Sequence, residues 1–200
     1  MTMGDISEKT RAHLTRVYST LLTSTLSCVV GMYLNSTFMF TGFLMTLASI
    51  FGMIYFMYQV NSSSNSESTQ IGYLLAFAFF MGFQAGPGIH HIAAVDPQML
   101  TQAVAYTGTS FASFSAISLF SQRRTFLFLG GVIMTMMQAM ALYSIFSWLG
   151  GSTIGLGYIM VSLFMTCLWI IFDTQIIVEQ AEQGQRQVAK HAMTLFMDLF

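Results

Sequence analysis

Two aspartates stand where charge is expensive. Asp173 lies within the run Leu168-Trp169-Ile170-Ile171-Phe172-Asp173-Thr174-Gln175-Ile176-Ile177, and Asp198 within Leu195-Phe196-Met197-Asp198-Leu199-Phe200. A charge at bilayer depth costs at least about 2.5–3.5 kcal/mol, so such residues face a protein interior or water and usually have a partner. Their spacing makes them candidates for each other's partner. The midpoint of 173 and 198 falls between Gln185 and Arg186, inside the most charged stretch beyond the N-terminus. A helical hairpin folded there, with a loop of about eight residues, sets each aspartate about 12 Å in at 1.5 Å per residue. Two close carboxylates do not both ionise cheaply; they share a proton and titrate in coupled steps. With one proton the pair holds a short O–H···O⁻ hydrogen bond. Fully ionised, it repels or recruits a cation. Oxygen ligands suit calcium, although two carboxylates fall short of its usual six to eight, so Asp173 and Asp198 form at most part of a calcium site. The alternative is two unrelated polar residues, each satisfied by Thr174, Gln175 or Thr194.

A second group of residues could bend a helix. Gly82 and Gly86 make a small-xxx-small pattern that lets helix backbones approach closely. Pro87 removes a backbone donor and predicts a kink. Gly86, Pro87 and Gly88 therefore read either as a packing site with a bend, which is favoured, or as a hinge lining a cavity. His90 and His91 follow the kink as interfacial histidines or as a second titrating element near neutral pH. His191 reads as interfacial. Cys28 and Cys167 both lie in apolar runs, so a disulfide scaffold is not expected. Asn35-Ser36-Thr37 and Asn61-Ser62-Ser63 match the glycosylation pattern, but neither lies in a loop suited to modification. No phosphate loop, zinc ligand set or nucleophile elbow is present, no cofactor is expected, and no catalysis is implied.

The elements that must position these groups are transmembrane helices. Of the 200 residues, 54% are hydrophobic and 8% charged, and mean hydropathy is +0.65. A soluble domain carries about 25% charged residues, so this chain could not cover its own surface in water. A net charge of −1 indicates no nucleic-acid partner; the lipid bilayer is the expected one. Apolar runs predict an all-α, polytopic membrane helical bundle with spans at 17–35, 38–60, 71–95, 98–121, 125–149 and 154–178. A partial seventh covers 191–200, about 15 Å or half the hydrocarbon thickness. Residues 1–16 are a polar segment with no cleavable signal peptide. Lys9, Arg11 and Arg16, then Arg123 and Arg124, then Arg186 and Lys190 each fall after an even number of crossings. All seven basic residues thus share one side, which the positive-inside rule makes cytosolic together with the N-terminus.

Several motifs coincide in one resemblance. Ala76-Phe77-Ala78-Phe79 leads to Gly82 and Gly86-Pro87. Gln122-Arg123-Arg124-Thr125-Phe126-Leu127-Phe128-Leu129-Gly130-Gly131 forms the fourth-to-fifth junction. Phe172-Asp173-Thr174-Gln175 precedes Ile176-Ile177 and Glu179, and Lys190-His191 leads to Thr194-Leu195-Phe196 and Asp198. Over nearly its whole length the chain resembles the Bax inhibitor family, the transmembrane Bax-inhibitor-motif proteins, and most of all the Bax inhibitor-one branch. The resemblance implies a multi-pass endoplasmic-reticulum protein of six or seven helices that suppresses cell death and leaks calcium in a pH-dependent way. It also implies that Asp173 and Asp198 match the paired aspartates that control the leak in bacterial relatives. An arginine that engages the pair from the second helix in some relatives has no counterpart here. His90 and His91 stand where some relatives carry an acid. Family members complete the last helix and commonly add a basic tail, whereas this sequence stops two residues past Asp198, as a fragment or a truncation.

Three functions compete on this reading. One is an ion leak gated by the aspartate pair, with calcium as the permeant ion. Another is a non-conducting regulator that binds Bcl-2-family or other membrane proteins. The third, an intramembrane aspartyl protease, is disfavoured because Ile171-Phe172 and Phe196-Met197, not Gly-x-Gly, precede the aspartates.

Overall fold

The computed structural model describes residues 7–38, 42–120, 128–150 and 155–199. These form seven helices and no strands: α1 (Glu8–Phe38), α2 (Phe43–Asn61), α3 (Glu67–Val95), α4 (Pro97–Phe120), α5 (Leu129–Leu149), α6 (Leu156–Glu182) and α7 (Val188–Leu199). The Arg123-Arg124 junction and Asp5 lie outside the described residues.

Local chemistry sets the helix ends. At the head of α1, Ser7 Oγ accepts the Thr10 amide at 3.2 Å, an N-cap that starts the helix well before the apolar run. The expected polar segment 1–16 is therefore helical from Glu8 on, because capping and propensity start a helix where hydrophobicity alone would not. Ser66 caps α3 through the Thr69 amide. Asp96 ends α3 and caps α4, its Oδ1 accepting the Gln98 amide at 2.9 Å, with Pro97 in the first helical position, where a missing N–H costs nothing. α6 runs one turn past the expected 178 and closes in a Schellman motif. Gln185 N–H donates to Gln180 O and Gly184 N–H to Ala181 O, with Gly184 at φ +91°, a conformation that glycine adopts without strain.

Five helices, α1, α2, α3, α5 and α6, are long and apolar enough to cross a membrane. At 24 residues α4 rises about 36 Å, long enough to span, but Thr101, Gln102, Thr107, Thr109, Ser110 and Ser113 dilute its apolar character. Large apolar side chains stand bare on the surface, among them Phe43, Leu44 and Leu156, with Trp148 81% exposed. That surface suits hydrocarbon, not water.

The chain forms two compact units. One comprises residues 1–10 and 109–185, the other 11–108 and 186–200. In the first, α5 and α6 pair through stacked Tyr143 and Tyr158, 5.5 Å between centroids, and a 2.8 Å bond between Ser144 Oγ and Tyr158 Oη. Ser118 Oγ of α4 donates to Ile171 O of α6 at 2.8 Å. In the second, α2 and α3 form a hairpin with Phe56 against Phe80 and Tyr73. The short α7 is amphipathic and buries Val188, Ala189, His191, Ala192, Met193, Leu195 and Phe196. Phe196 meets Phe77 of α3 edge to face at 6.3 Å.

Candidate functional site

Asp173 sits on α6 in the first unit and is half-buried. Nine residues separate it from Glu182 at the end of α6, about 14 Å along the axis. Its neighbour Thr174 is 1% exposed, with Oγ1 bonded to nothing. On the other side, Phe172 packs its ring on Gly130 of α5, where a Cβ would come within 2.8 Å of it. Asp198 sits on α7 in the second unit, also half-buried, ten residues or about 15 Å from Val188. The segment joining α6 to α7 spans 183–187, shorter than the expected eight residues and centred on Gln185. Among the described residues, no group of three or more His, Cys, Asp and Glu side chains could hold a metal ion.

The Gly-Pro segment of α3 packs against α1. A Cβ on Gly82 would collide with the Cys28 carbonyl, and one on Gly31 with the Phe79 carbonyl. A Cβ on Gly86 would lie 2.8 Å from Asn35 Cβ and 3.0 Å from Met32 O. Two hydrogen bonds flank these approaches, Ser27 Oγ to Leu75 O at 2.8 Å and Asn35 Nδ2 to Phe83 O at 2.6 Å. The second has a local cause. Pro87 has no N–H to offer the carbonyl four residues before it, which is Phe83, and Asn35 reaches across to donate there. Gly82 and Gly86 thus serve close packing, while Gly88 has open space where a Cβ would stand. Asn35 is 2% exposed with its amide nitrogen engaged, which removes it as a glycosylation acceptor. His90 and His91 are exposed on the last turns of α3.

One pair was not foreseen. His13 of α1 and His191 of α7 meet, Nε2 to Nδ1, at 2.8 Å, with rings nearly perpendicular at 81° and centroids 5.0 Å apart. They are 4% and 6% exposed. His13 precedes the apolar stretch that begins at Val17, among Lys9, Arg11 and Arg16. His191 opens a helix of 12 residues, too short to be a span. Burial holds the His13 imidazole below the ordinary histidine range; Arg186 pushes the same way, Glu67 opposes and Arg16 adds to the lowering. His191 is lowered first by burial, then by His13 and Lys190. Beside the pair, Arg16 and Glu67 form a salt bridge of 2.7 Å between α1 and α3. The two histidines are 178 positions apart, so only knowing that α7 returns to the head of α1 could have revealed them.

Comparison with known proteins gives one answer. The family described as inhibitor of apoptosis-promoting Bax1 matches residues 10–200. Mouse Bax inhibitor 1 is 33% identical, covering 96% of this chain and 82% of the mouse protein. The human protein of that name is 32% identical over the same shares. Bax inhibitor 1 of Arabidopsis thaliana is 31% identical, covering 96% of this chain and 78% of its own length. With its apolar, all-helical fold, the chain belongs to the Bax inhibitor family of polytopic membrane proteins.

Proposed function

We propose that this chain is an endoplasmic-reticulum membrane suppressor of apoptosis that acts as a pH-sensitive calcium leak, gated by Asp173 and Asp198. The reading is supported by the relatives, which carry the name Bax inhibitor 1 in animals and a plant. The observation that carries the gate is the placement of the two carboxylates. Each lies half-buried on its own helix, about 14–15 Å from the one short segment that joins them. The two distances match, as the proposed pairing requires. A shared proton closes the pair, and its loss opens the pair to repulsion or a cation. In the proposed topology the N-terminus and the 183–187 segment are cytosolic, because Lys9, Arg11, Arg16, Arg186 and Lys190 all gather at those ends.

The test is calcium efflux from proteoliposomes holding the purified chain, beside Asp173→Asn and Asp198→Asn, from pH 5 to 8. A leak whose pH profile shifts in either variant is the expected result. No leak above empty liposomes from folded protein would refute the gate and assign the chain to the non-conducting regulators that act by binding Bcl-2-family or other membrane proteins.

A further inference from the structure

The geometry points to the His13–His191 contact as an acid-released clasp that holds α7 onto the head of α1. The hydrogen bond sets the rule. A ring nitrogen must accept, and a protonated imidazole carries donors on both nitrogens. The docked pair therefore accommodates no proton beyond its two neutral rings, or one, but never two.

The surroundings act against the first proton as well. Both rings are almost wholly shielded from solvent, which disfavours an added charge. Arg16 on α1, Arg186 just before α7 and Lys190 on α7 face the pair with positive charge, and Glu67 on α3 opposes them. That acid already pairs with Arg16. Protonation thus places a buried cation beside three others, near a counter-charge that Arg16 already shares.

The contact ties α7 to α1 through two shielded polar side chains. Val188, Ala192, Leu195 and Phe196 on its buried face are apolar and do not titrate. Release is therefore driven at one end of the helix, the end that the chain enters from 183–187. Asp198 lies two turns further along α7, so release also moves one member of the proposed gate; this last step rests on the reading given above, whereas the clasp itself does not.

The experiment reads docking rather than flux. Hydrogen–deuterium exchange of the purified chain in lipid nanodiscs, corrected for the intrinsic rate at each pH, reports protection of residues 188–199 from pH 7.5 to 5. If one histidine must stay neutral to dock, release is favoured at pH 5 by up to about 30-fold over neutral pH, from an ordinary pKa of about 6.5. The expected result is a fall in α7 protection of that order, with α2 protection unchanged. His13→Gln/His191→Asn keeps a donor and an acceptor at the same places without a titrating ring, and its α7 protection should not fall with acid. Selective labelling of the four histidines gives a second readout on the wild-type protein by NMR. His13 and His191 should stay neutral well below the ordinary histidine pKa of about 6.5. Wild-type α7 protection that does not change with pH would overturn the clasp, as would His13 and His191 titrating at the ordinary histidine pKa of about 6.5.

Discussion

The bond from Asn35 to the Phe83 carbonyl has a cause that a double-mutant cycle can test. Pro87 supplies no amide proton to that carbonyl, and Asn35 Nδ2 donates to it across the α1–α3 interface at 2.6 Å. Replacing Asn35 by Ala removes the donor. A hydrogen bond contributes about 0.5–1.5 kcal/mol in soluble proteins, while interhelical hydrogen bonds in membranes average about 0.6 kcal/mol and reach about 1.7. Against this stands Asn35 Oδ1, which is buried and bonded to nothing; its removal returns part of the loss. A net destabilisation of about 1 kcal/mol is therefore expected. Pro87→Ala restores a backbone donor in register with Phe83, so Asn35→Ala in that background should cost markedly less. Stability would be followed by denaturant unfolding in micelles, four proteins side by side. A coupling of about 0.5–1 kcal/mol supports the compensation. Strict additivity would refute it, and would mean that Asn35 serves packing alone.

Other substitutions probe neighbouring features. Gly82→Val drives a side chain into the Cys28 carbonyl and should unfold or separate α1 from α3, whereas Gly88→Ala meets nothing within 4 Å and should stabilise by about 0.5–1 kcal/mol; thermal melts of the two should move in opposite directions, and a shared sign would contradict the packing described. Thr174→Val removes a buried hydroxyl that has no partner at nearly constant volume, so stability should hold or rise; a loss above about 1 kcal/mol would show that the hydroxyl is engaged.

The sequence was legible where physics is local and less so where it is not. Apolar runs predicted six spans and a partial seventh, and seven helices stand among the described residues, because a helix in hydrocarbon must satisfy its backbone within itself. They misplaced the start of α1, since a hydrophobic run marks the membrane-crossing part of a helix and not its cap at Ser7. Asp96-Pro97 was readable as the α3–α4 boundary from turn chemistry alone. Gly82 and Gly86 were readable as a packing stripe, but their counterpart Gly31 was not, because nothing in the sequence says which helix lies opposite. Asn35 was noticed for the wrong reason, as a glycosylation signal, while the proline four residues past Phe83 held the actual clue. His13 went unremarked and His191 was read as interfacial; neither is remarkable until α7 is known to return to α1.

If both proposals hold, α7 carries two titrating elements with opposite responses to acid. Each histidine is held below its ordinary pKa when docked, so the stability it contributes is present above about pH 6.5 and is lost as pH falls through the docked value. The proposed aspartate pair works in reverse, since a shared proton binds its members and ionisation parts them. His191 and Asp198 are seven residues apart, about two turns, and so lie near one face of the helix. Acid then loosens the head of α7 while tightening its far end. The two contributions separate genetically. Asp198→Asn should remove the carboxylate limb of the pH response and leave the loss of α7 protection below about pH 6.5. His13→Gln/His191→Asn should remove that loss and leave the carboxylate limb. Measured together by hydrogen exchange over residues 188–199 and by calcium efflux, the triple variant should show neither limb. A residual pH dependence of α7 protection in that variant would mean that a further titrating group governs the helix, and that the pairing of these four residues does not account for it.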